Sequence, residues 1–379
     1  LYSRGLSFAE AATELIISAR SAAKPASAIL KQRNKKSKMI IILKPGCSSA
    51  EEQEIINEVE TLGYKPHIVR GVEHVVIGAV GDERSHHTLE TLNNFPQVQE
   101  VMRVQKRHKL VNRQCHPEGT LVQVGEHRIG SAPIHVMAGP CSVEGEKQLM
   151  ETAIAVKEAG ATILRGGAFK PRTSPYEFQG LGEDGLKLLA RAREETGMPV
   201  ITELLSENHA SMVAEYADIL QIGTRNAQNF QLLIAAAKTG RPVLLKRGLS
   251  MKFEEWLLAG EYVLANGNAN LMFCERGIRT FETYTRNTLD LAAIPVMKSE
   301  THLPVVIDPS QGCGRAQLVK AACRGSIAMG ADALLIEVHP NPAEAWSDGA
   351  QQLSIADFRE LMQELKPIAA AVGRSIATL

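Results

Sequence analysis

From Pro133 onward, short apolar runs alternate with helical patterns eight times, and this alternation restricts the chain to a parallel α/β architecture. The runs cover 134–138, 161–164, 200–204, 219–222, 243–246, 271–274, 305–307 and 333–338. Between them lie stretches such as 149–159, 186–195, 230–237 and 253–264, whose apolar residues recur at core spacing for a helix. Gly-Ala or Gly-x-Pro punctuation precedes several runs, as at Gly160-Ala161 and Gly240-Arg241-Pro242. Strands that are apolar at nearly every position are buried on both faces, as parallel strands are. Eight such units predict a closed (β/α)8 barrel, with function at the carboxyl ends of the strands. An open doubly wound sheet is the alternative, but neither GxGxxG nor GxxxxGK[ST] occurs.

The residues just after each run then form one constellation. The longest such segment, Gly166 to Gly180, is stiffened by Pro171 and Pro175 and presents Lys170 and Arg172 beside Arg165. Seven cations gather at the strand ends: Arg165, Lys170, Arg172, Arg225, Lys246, Arg247 and Arg276. Grouped cations are stable only when anions neutralise them, so the mouth is expected to take phosphates or a phosphate and a carboxylate. Cys141, Glu337 and Asp348 come from the first and eighth runs and the segments after them, and those runs become neighbours when a barrel closes. One thiolate with two carboxylates suits a divalent transition metal better than Mg or Ca.

Ahead of the barrel, residues 39–105 read strand, helix, strand, strand, helix, strand, with elements at 39–43, 49–62, 64–69, 74–80, 86–94 and 98–104 and a turn at Gly71. That order predicts a small α+β ferredoxin-like domain. Residues 106–132 read as a linker with a hairpin at 121–129, and 133–379 as the barrel. Residues 1–38 carry eight Lys/Arg against two Glu and begin without Met. They are expected to be a disordered or processed extension, with an amphipathic stretch at 6–17, and a transit peptide is the other reading. Lysines and arginines equal aspartates and glutamates at 42 each, so net charge points to neither nucleic acid nor membrane as a partner. No apolar run approaches the roughly 20 residues of a membrane span. Six scattered cysteines without a framework spacing suit a reducing compartment.

Seven motifs carry a resemblance: AGPCS at 138–142, LRGGAFKPRTSPYEFQGLG at 164–182, QIGTRNAQNF at 221–230, LLKRG at 244–248, CERGIRTFE at 274–282, RNTLD at 286–290 and IEVHPNPAEAWSDG at 336–349. Residues 39–377 resemble the 3-deoxy-D-arabino-heptulosonate 7-phosphate (DAHP) synthases that carry a ferredoxin-like domain before the barrel. The related octulosonate 8-phosphate synthases have Asn ahead of the Arg in the substrate loop, whereas this chain reads Lys170-Pro171-Arg172-Thr173. The resemblance implies condensation of phosphoenolpyruvate with erythrose 4-phosphate, the first shikimate-pathway step. It implies that Arg165, Lys170, Arg225, Lys246 and Arg276 hold phosphoenolpyruvate. Arg172, Thr173, Ser174 and Asp308 are implied to hold the sugar phosphate. Glu203 and Lys170 are expected to manage water and protons, and Cys141, Glu337 and Asp348 to bind Mn, Fe, Zn or Co. The family's fourth ligand is a His in DPSH; here the sequence is Asp308-Pro309-Ser310-Gln311. Gln311 offers a weaker ligand in its place, and Cys313 is a possible substitute. The resemblance further implies a cytoplasmic homo-oligomer, dimer or tetramer, with an aromatic amino acid as effector. A metal-impaired homologue that binds phosphoenolpyruvate and regulates a partner is the competing reading, raised by Gln311.

Overall fold

The structure, a computed structural model, describes residues 37–70, 75–81, 89–103, 107–172 and 174–379. The expected features at 1–36, the Gly71 turn, residues 86–88, Val104 and Thr173 lie outside the described residues. Two compact units are present, one ending at Arg107 and one running from His108 to Leu379.

The first unit contains β1 (Ser37–Leu43), α1 (Ser49–Thr61), β2 (Lys65–Arg70), β3 (Val75–Gly81), a 3-10 turn (Leu89–Asn94) and β4 (Val98–Arg103). Ser48 starts α1 through a capping box: its hydroxyl accepts from the Glu51 amide while the Glu51 carboxylate accepts from the Ser48 amide. Alternation along β1 sends Met39, Ile41 and Leu43 inward against Ile55 and Val59 of α1. The antiparallel sheet has the order β2-β3-β1-β4, which is the ferredoxin-like arrangement. The described part of the second expected helix is a 3-10 turn, because Asn93 and Asn94 at its end and Pro96 just beyond it oppose helix extension.

The second unit opens with a hairpin of β5 (Val122–Val124) and β6 (His127–Ile129). It continues as β7 (Pro133–Gly139), α2 (Glu146–Ala159), β8 (Ile163–Arg165), α3 (Glu183–Thr196), β9 (Val200–Glu203), α4 (Ala210–Tyr216), β10 (Ile219–Ile222) and α5 (Phe230–Lys238). Then follow β11 (Val243–Lys246), α6 (Phe253–Ala265), β12 (Leu271–Glu275), α7 (Ala293–Glu300), β13 (Val305–Ile307), α8 (Pro309–Cys313), α9 (Ala316–Ala328), β14 (Ala333–Glu337) and α10 (Ile355–Ala371). Successive strands from β7 to β14 pair in parallel, and β14 pairs with β7, Leu334 lying opposite Val136 and Glu337 opposite Gly139. That closure excludes the open sheet. A short β15 (Ser375–Ile376) adds to the start of β7.

Strand alternation divides the core into two layers. Leu164, Val200, Leu220, Leu245 and Phe273 face outward onto helices, where they meet residues such as Leu189, Trp256 and Phe358. Met137, Ile163, Ile201, Ile219, Leu244, Met272, Val306 and Leu335 face inward. Val122, Val124 and Ile129 of the hairpin join this inner layer. Because β6 leads directly into β7, the hairpin fills the interior from the amino-terminal end. The carboxyl ends of the strands are left for polar side chains.

Candidate active site

The inward period of two continues past the apolar residues and decides which side chains reach the mouth. Ile163 is followed two positions on by Arg165, Ile201 by Glu203, Leu244 by Lys246, Val306 by Asp308 and Leu335 by Glu337. Met272 and Cys274 are followed by Arg276 in the same way. All of these except Glu203 are buried. Arg247 falls out of phase. It lies under α6, bonded to Glu275 at 3.0 Å and Asp290 at 2.9 Å, with its guanidinium 4.3 Å from the Phe253 ring centroid. The expectation of seven cations at one mouth is corrected here, because Arg247 is already neutralised among helix-facing residues.

Charges are paired where two strands bring opposite signs together. Lys246 Nζ lies 2.6 Å from Asp308 Oδ2, both side chains buried. Burial would raise the Asp308 carboxyl, but Lys246, the Gln311 amide and Arg165 together hold it below the usual carboxylate range. Asp308 also caps α8 by accepting from the Gln311 amide at 2.9 Å. Arg165 Nη1 reaches Glu337 Oε1 at 3.2 Å and the Pro140 carbonyl at 2.9 Å. Lys170 turns back from its loop to place Nζ 3.0 Å from Cys141 Sγ and 3.1 Å from the Cys141 carbonyl. Gly167 makes room for this: a Cβ there would lie 2.7 Å from the Cys141 oxygen and 2.9 Å from Lys170 Cδ.

Several buried donors have no protein partner. These are Arg165 Nε, both Nε and Nη1 of Arg276, and Thr224 Oγ1, from the ends of β8, β12 and β10. Burial depresses the Arg276 guanidinium, with Arg286 adding repulsion, so an anion would restore it. Unsatisfied buried donors are costly, and donors at three strand ends suit a multidentate anion. Arg225 is exposed on the turn Thr224–Asn226. Arg172 stands apart from the buried set and pairs with Glu177 at 3.0 Å, while Ser174 Oγ accepts from the Tyr176 amide.

The donor atoms of Cys141, Glu337 and Asp348 all lie within 4.8 Å of one another. Cys141 Sγ is 3.5 Å from Asp348 Oδ2. Asp348 adopts φ 53°, the one non-glycine residue with positive φ among those described, and the turn that follows it holds the carboxylate at the site. Burial pushes the Cys141 thiol up to about 11, with Glu337 and Asp348 adding to the shift and Lys170 opposing it. One sulfur and two carboxylates from β7, β14 and the loop beyond fit a divalent transition metal. Gln311 does not point a free oxygen at this trio. Its Oε1 accepts from Arg276 Nη2 at 2.8 Å, and its Nε2 lies 3.4 Å from Glu337 Oε1. Cys313 lines a separate cavity of about 360 Å³ with Phe281, Thr288, Leu289 and Gly312. It is therefore not part of the trio.

Sequence reasoning missed Arg286, Gln351 and Gln352. Gln352 accepts from the Cys141 amide at 3.1 Å and donates to the Ser347 carbonyl at 2.8 Å. Arg286 Nη1 lies 3.1 Å from Asp348 Oδ1. The only signals were that Arg286 opens the motif RNTLD at 286–290 and that Gln351 and Gln352 follow closely on SDG at 347–349.

Such a site, buried cations converging beside a thiol and two carboxylates at the mouth of a (β/α)8 barrel, is suited to binding anions and could hold a divalent metal. Residues 116–371 match the DAHP synthetase I family, and residues 39–106 match the DAHP synthase ferredoxin-like domain. The chain belongs to the DAHP synthetase I family. A phospho-2-dehydro-3-deoxyheptonate aldolase of Thermotoga maritima is 49% identical over 335 residues, covering 88% of this chain and 99% of that protein. The crystal structure of the Thermotoga maritima DAHP synthase superposes with a TM-score of 0.85 at 48% identity, covering 90% of this chain and 100% of that one. A 2-dehydro-3-deoxyphosphooctonate aldolase of Methylobacterium radiotolerans is 34% identical and covers 65% of this chain and 93% of its own length. No helix among the described residues is long and apolar enough to cross a membrane.

Proposed function

We propose that this chain condenses phosphoenolpyruvate with erythrose 4-phosphate and water to give DAHP and phosphate, the first step of the shikimate pathway. The observation that carries the reading is the set of orphaned buried donors, on Arg165, Arg276 and Thr224, beside a complete Cys141–Glu337–Asp348 trio.

Arg165, Lys170, Arg225, Lys246 and Arg276 hold the phosphate and carboxylate of phosphoenolpyruvate. Arg172, Thr173 and Ser174, with Asp308, hold the sugar phosphate. Cys141, Glu337 and Asp348 would hold a divalent cation, whether Mn, Fe, Zn or Co, which would supply Lewis-acid polarisation of the aldehyde. The enol carbon is a weak nucleophile, so the anion clamps contribute mainly by fixing it at near-attack distance from the aldehyde carbon. The new carbon–carbon bond forms between C3 of phosphoenolpyruvate and that carbon. Water adds to C2, and the C2–O bond to phosphate then breaks, releasing phosphate. Glu203, at the end of β9, orients the water, and Lys170 moves a proton.

Residues 39–105 are read as an effector module for an aromatic amino acid, in a cytoplasmic homo-oligomer. The alternative, a weakened homologue that only binds phosphoenolpyruvate for a partner, loses support from the intact trio and cation set. Phosphoenolpyruvate consumption tests the reading, with erythrose 4-phosphate or arabinose 5-phosphate as acceptor and with Mn²⁺ or chelator. Turnover that is much faster with erythrose 4-phosphate and lost in chelator is expected. Comparable kcat/KM for the two sugars, or no turnover with either, overturns it.

A further inference from the structure

Glu337 is gripped at both oxygens by glutamine amides, and each amide is itself gripped by an arginine. Gln351 Nε2 donates to Glu337 Oε2 at 2.7 Å while its Oε1 accepts from Arg286 Nη1 at 2.9 Å. On the other side, Gln311 Nε2 donates to Glu337 Oε1 at 3.4 Å and its Oε1 accepts from Arg276. The orientation of both amides is dictated by chemistry. A guanidinium has donors only, so each amide must turn its oxygen to the arginine and its NH₂ to the carboxylate. Gln351 is 2% exposed and sits in the turn Gly349–Gln351, whose amide at Gln351 closes onto the Asp348 carbonyl at 3.1 Å. One short turn thus carries both a trio carboxylate and the amide that holds its partner. Arg286 contacts both, since the same Nη1 lies 3.1 Å from Asp348 Oδ1.

We propose that Gln351, locked by Arg286, is the principal amide positioning the Glu337 carboxylate for a metal, and that Gln311 is its weaker counterpart from the anion side rather than a metal ligand. The inference rests on the reading of Cys141, Glu337 and Asp348 as metal ligands. Outer partners of this kind set carboxylate orientation, and losing one costs about 10–100-fold in metal affinity. The stronger of the two amide clamps is Gln351, because its contact with Glu337 is the shorter by a wide margin, and because Oε1, unlike Oε2, is also held by Arg165 at 3.2 Å.

The full chain, stripped with chelator, is titrated with Co²⁺ by calorimetry and absorption, without phosphoenolpyruvate. Wild type is expected to show a thiolate-to-cobalt charge-transfer band from Cys141. Gln351→Met should keep that band, shift the d–d envelope and weaken Co²⁺ by about 10–100-fold. Gln311→Met should weaken it less and leave the envelope in place. Should Gln351→Met fail to fold, Arg286→Leu at a part-exposed position carries the same test. On charge alone, losing a cation beside the site tightens Co²⁺ binding, so weaker binding supports positioning and tighter binding overturns it. Unchanged affinity and envelope in Gln351→Met, or a larger spectral change in Gln311→Met, overturns this inference alone. A wild type that takes up no cobalt overturns the metal reading and this inference with it.

Discussion

Gly223 offers the cleanest way to move the Glu203 carboxylate, proposed above to orient water, with little disturbance elsewhere. Its backbone sits at φ −71° and ψ 161°, a region any residue adopts, so alanine adds no backbone strain. The added Cβ would lie 1.9 Å from Glu203 Oε1 and 2.9 Å from its Cδ. Cβ atoms keep about 3.0 Å from their neighbours, so the Glu203 carboxylate must retreat by roughly 1 Å. Because the obstacle is the end of a flexible side chain, the structural cost is that of an off-rotamer carboxylate, about 0.5–1.5 kcal/mol. The melting temperature should therefore fall by only a few degrees. A misplacement of about 1 Å at a reacting group costs on the order of 100-fold in rate, equivalent to about 2.7 kcal/mol of barrier. Gly223→Ala should accordingly lose about two orders of magnitude in kcat while binding phosphoenolpyruvate nearly as before, since Arg165, Lys246 and Arg276 come from other strands. Steady-state kinetics at saturating substrate, thermal melts and a phosphoenolpyruvate titration measure the three quantities. A kcat within about threefold of wild type would refute the water-orienting role of Glu203.

Two further outcomes follow from the structure. The low pKa of buried Asp308 means that its contribution to stability is present above the unfolded value near 3.9 and is lost as pH falls through the lower folded value. Asp308→Asn, which strands Lys246 without its partner, should therefore cost about 3–5 kcal/mol at pH 7, and the difference should begin to shrink near pH 3, below the unfolded value. Urea unfolding at the two pH values checks this, and equal stability at pH 7 counts against the pair. Removing residues 1–105 should leave an active enzyme indifferent to tyrosine and phenylalanine, whereas the full chain should be inhibited by one of them. A full chain that ignores both at millimolar concentration ends the effector reading.

The regular parts of this molecule were legible because burial on both faces leaves a strong apolar signature. The runs at 219–222, 243–246 and 305–307 coincide with β10, β11 and β13. The loops were less legible. Gln351, Gln352 and Arg286 act through side-chain hydrogen bonds that join separate loops, as Gln352 does to Cys141 and Arg286 to Gln351, and no periodicity marks them. Gln311 was noticed as a departure from a motif, yet its bond to Arg276 depends on a side chain 35 positions away. β15 pairs with β7 over only two residues, too short for any pattern.

Counting cations at strand ends overstated the site; phase along each strand identifies its members. In β11, Leu244 faces inward and Leu245 outward, so Lys246 must face the barrel and Arg247 the helices. The same phase assigns Arg165 after Ile163, Glu203 after Ile201, Arg276 after Cys274, Asp308 after Val306 and Glu337 after Leu335. It also explains Gly223. Gln221 pairs with Glu203 across β9 and β10, and two residues on, the inward phase brings position 223 against the Glu203 carboxylate. A side chain fits there only by displacing that carboxylate. The strand register that builds the apolar core thus also selects the polar groups above it. A one-residue slip in any strand would bury a helix-facing side chain in the mouth and expel one of the polar groups now held there.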